Sequence, residues 1–358
     1  MPHGQATSRF TVDLDALAAN LATLRAQAPG AEVAAMLKAN AYGLGEDVVG
    51  RRLWAEGVRS FFTAGVLGAE ALRRLLGADA DVYVLDGCRP GDAGRLTASG
   101  LIPVLNSLEQ IADWKAGGGA DHRAALHIDT GMNRLGLRPD QARDAADAGL
   151  NVTLVMSHLA CGDVEGHAMN QRQLDAFRAA RALFPRAQAS LANSGGIFHG
   201  PEYAFDMVRA GVTLFGCGPF GRPDPRIVAV ATLEAEILQV RDVPAGESIG
   251  YAASFTAPRD MRIATVGIGY ADGVLRSNQP NGKVWFDGSL RPIVGRISMD
   301  TLAVDMTGCE TAKAGQFVEL FGAHLPVDDA AAAAGTIAYE LLTSVGSRVE
   351  RVVRSEGG

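Results

Sequence analysis

A lysine placed directly after a buried apolar run is the first residue of this chain with chemistry to offer. Lys38 follows Val33–Leu37 within the segment Met36-Leu-Lys-Ala-Asn-Ala-Tyr-Gly-Leu-Gly45. A lysine amine is costly to desolvate and its pKa falls where water is excluded, which suits it to a Schiff base with a carbonyl. The local alternative is a lysine in water at a domain rim. Other polar groups follow apolar runs in the same way. Arg134 lies in a Gly-punctuated loop after Ala124–Ile128, His158 follows Val152–Met156, and Asn193 and Ser194 follow Ala187–Leu191. Arg209 and Gly211 precede the run Val212–Phe215 and break the pattern, unless Ala204–Val208 is itself the strand. Cys88, Cys161, Cys217 and Cys309 form no C-x-x-C pair and read as free thiols. His158, Cys161 and His167 lack a second ligand pair to close a tetrahedral site, so no metal is expected. Gly216-Cys-Gly-Pro-Phe-Gly221 spells G-x-G-x-x-G, but Pro223 and Pro225 follow at once. They oppose the helix whose N-terminus would hold a pyrophosphate, and the stretch reads as a linker.

The elements that must position these groups alternate along the chain. Up to about residue 220, eight strand-like runs (Val33–Leu37, Phe61–Ala64, Val82–Leu85, Ile102–Leu105, Ala124–Ile128, Val152–Met156, Ala187–Leu191 and Val212–Phe215) are separated by helix-like stretches such as Glu46–Glu56, Val66–Leu76 and Ala168–Leu183. Eight such units without a nucleotide fingerprint in the first predict an α/β chain with an N-terminal (β/α)₈ barrel of the TIM type over residues 1–225. In such a barrel the reactive groups gather at the C-terminal ends of the strands, on one mouth. After Pro225 the runs Ile227–Val240, Met261–Ile268, Pro292–Val304 and Phe317–Phe321, with turn signals Asn281-Gly282 and Asp287-Gly288, predict a mostly β domain over 226–358. Helix-like Asp328–Ala334 and Ile337–Ser344 interrupt it. Of 358 residues 47% are apolar and 20% charged, the proportions of a globular chain with a core. The 33 Lys and Arg against 40 Asp and Glu leave a formal charge of −7, with no basic excess for nucleic acid. No stretch approaches the roughly 20 apolar residues of a membrane span, and the first residues lack the apolar run of a signal peptide, so a cytoplasmic protein is expected.

The lysine segment closely resembles the pyridoxal-phosphate lysine motif of the alanine racemase family. Further motifs resemble that family in the same order: Asp129-Thr-Gly-Met-Asn-Arg-Leu-Gly136, Met156-Ser-His158, Ala192-Asn-Ser-Gly195, Val208-Arg-Ala-Gly211, Ile249-Gly-Tyr-Ala252, Gly269-Tyr-Ala-Asp-Gly273, Ile297-Ser-Met-Asp300 and Ile337-Ala-Tyr-Glu340. The likeness spans nearly the whole chain. It implies pyridoxal 5'-phosphate held as a Schiff base on Lys38. The phosphate would be met by Tyr42, the Ser194 hydroxyl, the N–H groups of Gly211 and Val212, and the Tyr339 hydroxyl. Arg209 matches the residue directed at the pyridine nitrogen; a guanidinium does not give up its proton, which limits transamination. Its local alternative is an interior arginine paired with Asp206 or Glu202.

Racemisation needs a base on each face of the flattened α-carbon, because one base working on one face restores the starting hand. By resemblance Lys38 serves the D substrate and Tyr251 the L substrate, with His158 and Arg209 in the network that tunes the phenol. The family brings Lys38 and Tyr251 together across a head-to-tail homodimer with shared sites. Arg134 and Met299 match positions near the substrate carboxylate, and Tyr270 and Asp272 match an entrance layer. The implied reaction is interconversion of L-alanine and D-alanine, serving either wall precursors or D-alanine breakdown. Alternatives are a broader amino-acid racemase, a non-catalytic cofactor carrier and a decarboxylase, the last opposed by Arg209. The chain departs from the family at His127, where a carbamylated lysine is common, and at Leu44 and Phe215. A neutral imidazole brings no negative charge to steady Arg134.

Overall fold

In a computed structural model, which describes residues 6–355, the first strand already departs from the boundary expected at 225. Residues 1–5 and 356–358, which include part of the segment read for a signal peptide, lie outside the described residues. Strand β1 (Ser8–Asp13) has alternate residues buried, Ser8, Phe10 and Val12. That period suits a sheet with one face covered, whereas a barrel strand is covered on both faces. Accordingly β1 lies in the sheet of the β domain and not in the barrel. Residues 18–214 form one compact unit, and the described residues up to 17 and from 215 onward form the other.

The first unit is a parallel barrel. Its strands are β2 (Glu32–Met36), β3 (Ser60–Thr63), β4 (Asp81–Val84), β5 (Ile102–Leu105), β6 (Arg123–His127), β7 (Asn151–Met156), β8 (Gln188–Ser190) and β9 (Met207–Ala210). They pair in the order β8-β7-β6-β5-β4-β3-β2-β9. The ring nearly closes where the Asp206 N–H donates to the Ala189 carbonyl at 3.1 Å and the Arg209 N–H to the Ala192 carbonyl at 3.0 Å. Seven of these strands overlap the expected runs. The eighth does not: Val212–Phe215 is a turn, and Met207–Ala210 is the strand. Val212, Leu214 and Phe215 are buried, so their apolarity reports packing and not extension. A cluster of Ala34, Phe62, Tyr83, Ile102, Val104, Ala125, Leu154, Met156 and Met207 fills the centre, with Phe62 and Tyr83 stacked at 4.4 Å. A filled centre leaves the strand ends and their loops as the place for chemistry.

The outer helices follow their apolar spacing. Val66–Leu76 buries Val66, Ala69, Leu72 and Leu76 on one side and stops at Gly77, whose φ of 83° suits glycine. Ala168–Arg181 starts where the His167 side chain accepts from the Met169 N–H at 3.1 Å. Among the described residues no helix is long and apolar enough to cross a membrane.

The second unit is built on β10 (Ala231–Val243), β11 (Ser248–Ile249), β12 (Phe255–Thr256), β13 (Met261–Val266), β14 (Lys283–Phe286), β15 (Ser289–Val294), β16 (Leu302–Asp305), β17 (Phe317–Phe321) and β18 (Glu350–Arg354). The large sheet runs β13-β16-β15-β14-β17-β10-β1-β18, and β10 also pairs with β13. The long β10 does both because its register shifts between Ile237 and Gln239, a bulge that bends it from one set of partners to the next. Asp287-Gly288 forms the β14–β15 hairpin turn with φ of 47° and 81°, as that dipeptide favours. Helices Val327–Ala333 and Ala338–Ser344 lie where helix-like stretches were expected. No helix follows Gly216–Gly221, in keeping with its reading as a linker.

Candidate active site

Lys38 stands at the C-terminal end of β2, on a turn that the sequence does not announce. Ala39, Asn40, Ala41 and Tyr42 all have left-handed backbone, with φ of 54°, 55°, 52° and 56°. Each such non-glycine residue costs roughly 1–2 kcal/mol. The turn is held by main-chain bonds from Gly43 to Ala39 at 2.9 Å and from Gly45 to Asn40 at 3.0 Å, and the Asn40 side-chain oxygen accepts from the Glu46 N–H at 2.8 Å. Strain sustained this way is a common mark of a functional segment. It fixes the base of Lys38 and buries Tyr42, which is 5% exposed. Partial burial, and then the charge of Arg134, lowers the Lys38 pKa.

Tyr42, Ser194, Gly211 and Val212 come together at the same mouth. A Cβ on Gly211 would lie 2.6 Å from the Tyr42 hydroxyl, so only glycine lets the main chain approach there. The Ser194 hydroxyl is buried and accepts from the N–H groups of Gly211 at 3.0 Å and Thr213 at 3.4 Å. The Thr213 hydroxyl oxygen is buried with no hydrogen-bond partner among the described residues.

Arg209 extends from β9 and is 2% exposed. Among the described residues it pairs with no carboxylate; Asp206 instead accepts from the Ala189 N–H at 2.8 Å. One terminal nitrogen of Arg209 donates to the Ser190 carbonyl at 2.9 Å and hydroxyl at 2.6 Å. The other donates to the Ser157 carbonyl at 2.5 Å, the Leu191 carbonyl at 3.3 Å and His158 Nδ1 at 3.4 Å. Nε is the one guanidinium nitrogen with no partner among the described residues. Burial pushes the Arg209 pKa down to about 9, so the group is still a cation at neutral pH. Since a guanidinium only donates, His158 Nδ1 is an acceptor and its ring proton sits on Nε2. Burial and then Arg209 hold the His158 pKa well below the usual imidazole range, so the ring is neutral.

Two buried amides that the sequence did not flag fix this network. Gln173 accepts from the Ala160 N–H at 2.8 Å and donates to the His158 carbonyl at 2.9 Å and the Thr130 hydroxyl at 3.2 Å. It ties the His158 segment to the loop carrying Arg134. The available signal was a glutamine beside Leu174 and Phe177 on the covered side of its helix. Asn106 accepts from His127 Nδ1 at 2.9 Å. Burial, then Arg209, pulls the His127 pKa down to about 4, so position 127 carries no charge at neutral pH. Arg134 is exposed, and its charge lowers the pKa of Lys38, His127 and His158.

The remaining expected residues lie in the second unit. Tyr251 is 69% exposed and opens a turn in which Gly250, Ala252 and Ala253 have φ of 80°, 59° and 48°. Tyr270, Met299 and Tyr339 are also exposed, and Asp272 is buried.

Comparison with known proteins bears on the whole chain. Residues 12–219 match the family described as alanine racemase, N-terminal domain, and residues 230–353 match alanine racemase, C-terminal domain. The chain is 45% identical to an alanine racemase of Methylobacterium nodulans over 96% of this chain and 95% of that protein. It is 42% identical to a catabolic alanine racemase of Agrobacterium fabrum over 97% and 92%. The crystal structure of alanine racemase from Bartonella henselae with covalently bound pyridoxal phosphate has a TM-score of 0.93 at 37% identity, covering 98% of this chain and 100% of that one. The biosynthetic alanine racemase of Pseudomonas aeruginosa has a TM-score of 0.92 at 34% identity, with the same coverage. The chain belongs to the alanine racemase family of isomerases.

Proposed function

We propose that the chain interconverts L-alanine and D-alanine with pyridoxal phosphate held through Lys38, using Lys38 and Tyr251 as bases on opposite faces of the α-carbon. The observation that carries this reading is the gathering of Lys38, Tyr42, His158, Ser194, Arg209 and Gly211 at the ends of β2, β7, β8 and β9. The barrel mouth fits the cofactor. The space beside Gly211 is a cradle that a Cβ would fill, and two residues further on the buried Thr213 hydroxyl has no hydrogen-bond partner among the described residues. Main-chain N–H groups and hydroxyls suit a phosphate, and here Tyr42, Ser194, Gly211, Val212 and Tyr339 would hold it. The free Nε–H of Arg209 would face the ring nitrogen, donating a hydrogen bond without yielding a proton. When bound, pyridoxal phosphate withdraws electrons from the α-carbon and makes its proton removable.

The rest is done by the chain. The depressed pKa of Lys38 leaves more of its Nζ as free base, able to take the α-proton of D-alanine. Tyr251 Oη takes the α-proton of L-alanine from the other side. A phenol of ordinary pKa near 10 is a weak base at neutral pH. The His158 Nε2–H is available to stabilise the phenolate of Tyr251 of the partner subunit. Arg134 and Met299 would meet the substrate carboxylate region, Arg134 through its two-pronged donors. The exposure of Tyr251 and Met299 supports a head-to-tail homodimer in which each site borrows the tyrosine of the other. The free thiols Cys88, Cys217 and Cys309, all buried, suit the cytoplasm. Enantiomers have equal free energy in water, so one site serves D-alanine supply or its breakdown. A mere cofactor carrier would have no use for the second domain.

The test is exchange in deuterium oxide. Tyr251→Phe should stop deuterium entering the α-position of L-alanine while D-alanine still exchanges; continued exchange from L-alanine removes Tyr251 from its role.

A further inference from the structure

Three segments of the β domain carry exposed side chains that the family resemblance assigns to the site or its entrance. Tyr270 lies in the turn Gly269–Gly273, Met299 in the loop before β16, and Tyr339 in the helix Ala338–Ser344. They are 43%, 52% and 39% exposed, so packing around the side chains themselves does not fix their spacing.

What fixes it lies one layer behind. The Tyr270 N–H donates to the Ser298 carbonyl at 3.0 Å and the Ala271 N–H to the Met299 carbonyl at 3.0 Å. A Cβ on Gly269 would lie 2.3 Å from the Met299 carbonyl oxygen, so these turns touch through bare backbone. The Gly346 N–H donates to the Asp272 carbonyl at 3.0 Å, just past the end of the Tyr339 helix. One guanidinium joins two of them, and it belongs to a residue just beyond the end of the third. Arg348 grips both oxygens of Asp272, from Nε at 2.9 Å and Nη2 at 3.1 Å, and reaches Asp300 from Nη1 at 2.8 Å. Asp272 is 4% exposed and also accepts from the Gly269 N–H at 3.0 Å. A surface ion pair contributes little, but a buried carboxylate that loses its cation is strongly destabilised, so the turn holding it must move.

We propose that Arg348 is a positioning residue that locks the Tyr270, Met299 and Tyr339 segments at one spacing, and that this spacing restricts the site to small amino acids. The proposal rests on the racemase reading for its consequence and on the ion-pair geometry for its mechanism. Arg348 touches neither substrate nor cofactor; it acts through Asp272 and Asp300. Lysine has no fork to bridge two carboxylates, so Arg348→Lys should restore only part of the effect.

The test uses the full chain loaded with pyridoxal phosphate, comparing wild type, Arg348→Met, Arg348→Lys and Asp300→Asn. Racemisation of L-alanine and of L-2-aminobutyrate, one methylene longer, is followed together with amide hydrogen exchange at Tyr270 and Ala271. Arg348→Met should raise KM for alanine more than it lowers kcat and cut the preference for alanine about tenfold, the order that one methylene commands in a pocket. Exchange at both amides should quicken. Asp300→Asn, which leaves the buried Asp272 pair intact, should quicken Ala271 alone; it supplies the answer if Arg348→Met does not fold. A preference within about twofold of wild type, with unchanged exchange, overturns the proposal. If wild type does not racemise alanine, the functional reading fails, while the exchange arms still decide whether Arg348 holds the turns.

Discussion

Gly211→Ala tests the phosphate cradle with a quantity fixed by geometry. The new methyl would sit 2.6 Å from the Tyr42 hydroxyl oxygen, where ordinary contact begins at 3.4 Å, so the hydroxyl must retreat by about 0.8 Å. Tyr42 is buried on a strained turn and has little room to turn aside. A displacement of that size removes one hydrogen bond to a charged group, about 1.5–3 kcal/mol. Cofactor affinity should therefore fall about ten- to hundredfold. The assay is titration of the cofactor-free protein with pyridoxal phosphate, followed by visible absorbance, with thermal unfolding to establish that the fold survives. The decisive arm is Tyr42→Phe, which loses the same bond but also removes the obstructing oxygen. The next nearest atom, the ring carbon Cζ, lies 3.3 Å away and needs only a slight shift. In that background Gly211→Ala should cost little more, so the two changes are strongly non-additive. Affinity for Gly211→Ala within twofold of wild type, or strictly additive losses, refutes the cradle.

Other consequences follow from the buried cations and imidazoles. His127 is neutral in the folded protein down to about pH 4, whereas in the unfolded chain it gains a proton near pH 6.5. Its folded pKa is depressed, so stability is full above pH 6.5 and falls as pH drops toward 4, by about 3 kcal/mol from this group. Denaturant unfolding of His127→Gln over that range should show a shallower loss than wild type; equal slopes count against the assignment. Arg209→Glu strips the donors from the Ser157, Ser190 and Leu191 carbonyls and should destabilise the fold by ~3 kcal/mol or more. The folded fraction should also admit transamination, detectable as pyruvate formed from alanine. An Arg209→Glu protein as stable and as strict as wild type would contradict the network described above.

Much of the barrel was legible because most of its strands are short, largely apolar runs covered on both sides. The error at the eighth strand has a physical source. Met207–Ala210 carries an arginine and looks less like a strand than Val212–Phe215, yet Arg209 is accommodated because carbonyls from the β7 and β8 ends supply its acceptors. The left-handed turn at Ala39–Tyr42 was hidden because only Asn40 among its residues adopts that backbone readily; the bonds around it, the Asn40 side chain among them, make it hold. The pairings His127–Asn106, Gln173–His158 and Arg348–Asp272 join residues 21, 15 and 76 positions apart, beyond any local pattern. The residues proposed for the reaction were found by ordered resemblance, since singly each has an ordinary role in a core or a turn.

Strand β1 bears on how the molecule is assembled on the ribosome. Its partners are Thr232 and Val352, both facing Thr11, so neither neighbour exists when β1 leaves the exit tunnel. All eight barrel strands are made before the first of those partners is complete. The nascent chain thus exposes a half-apolar strand with open edges for most of translation, a template for pairing with other chains. A polypeptide truncated before β18 would keep one flank of β1 bare, which makes aggregation, more than loss of the barrel, the expected fate of incomplete products.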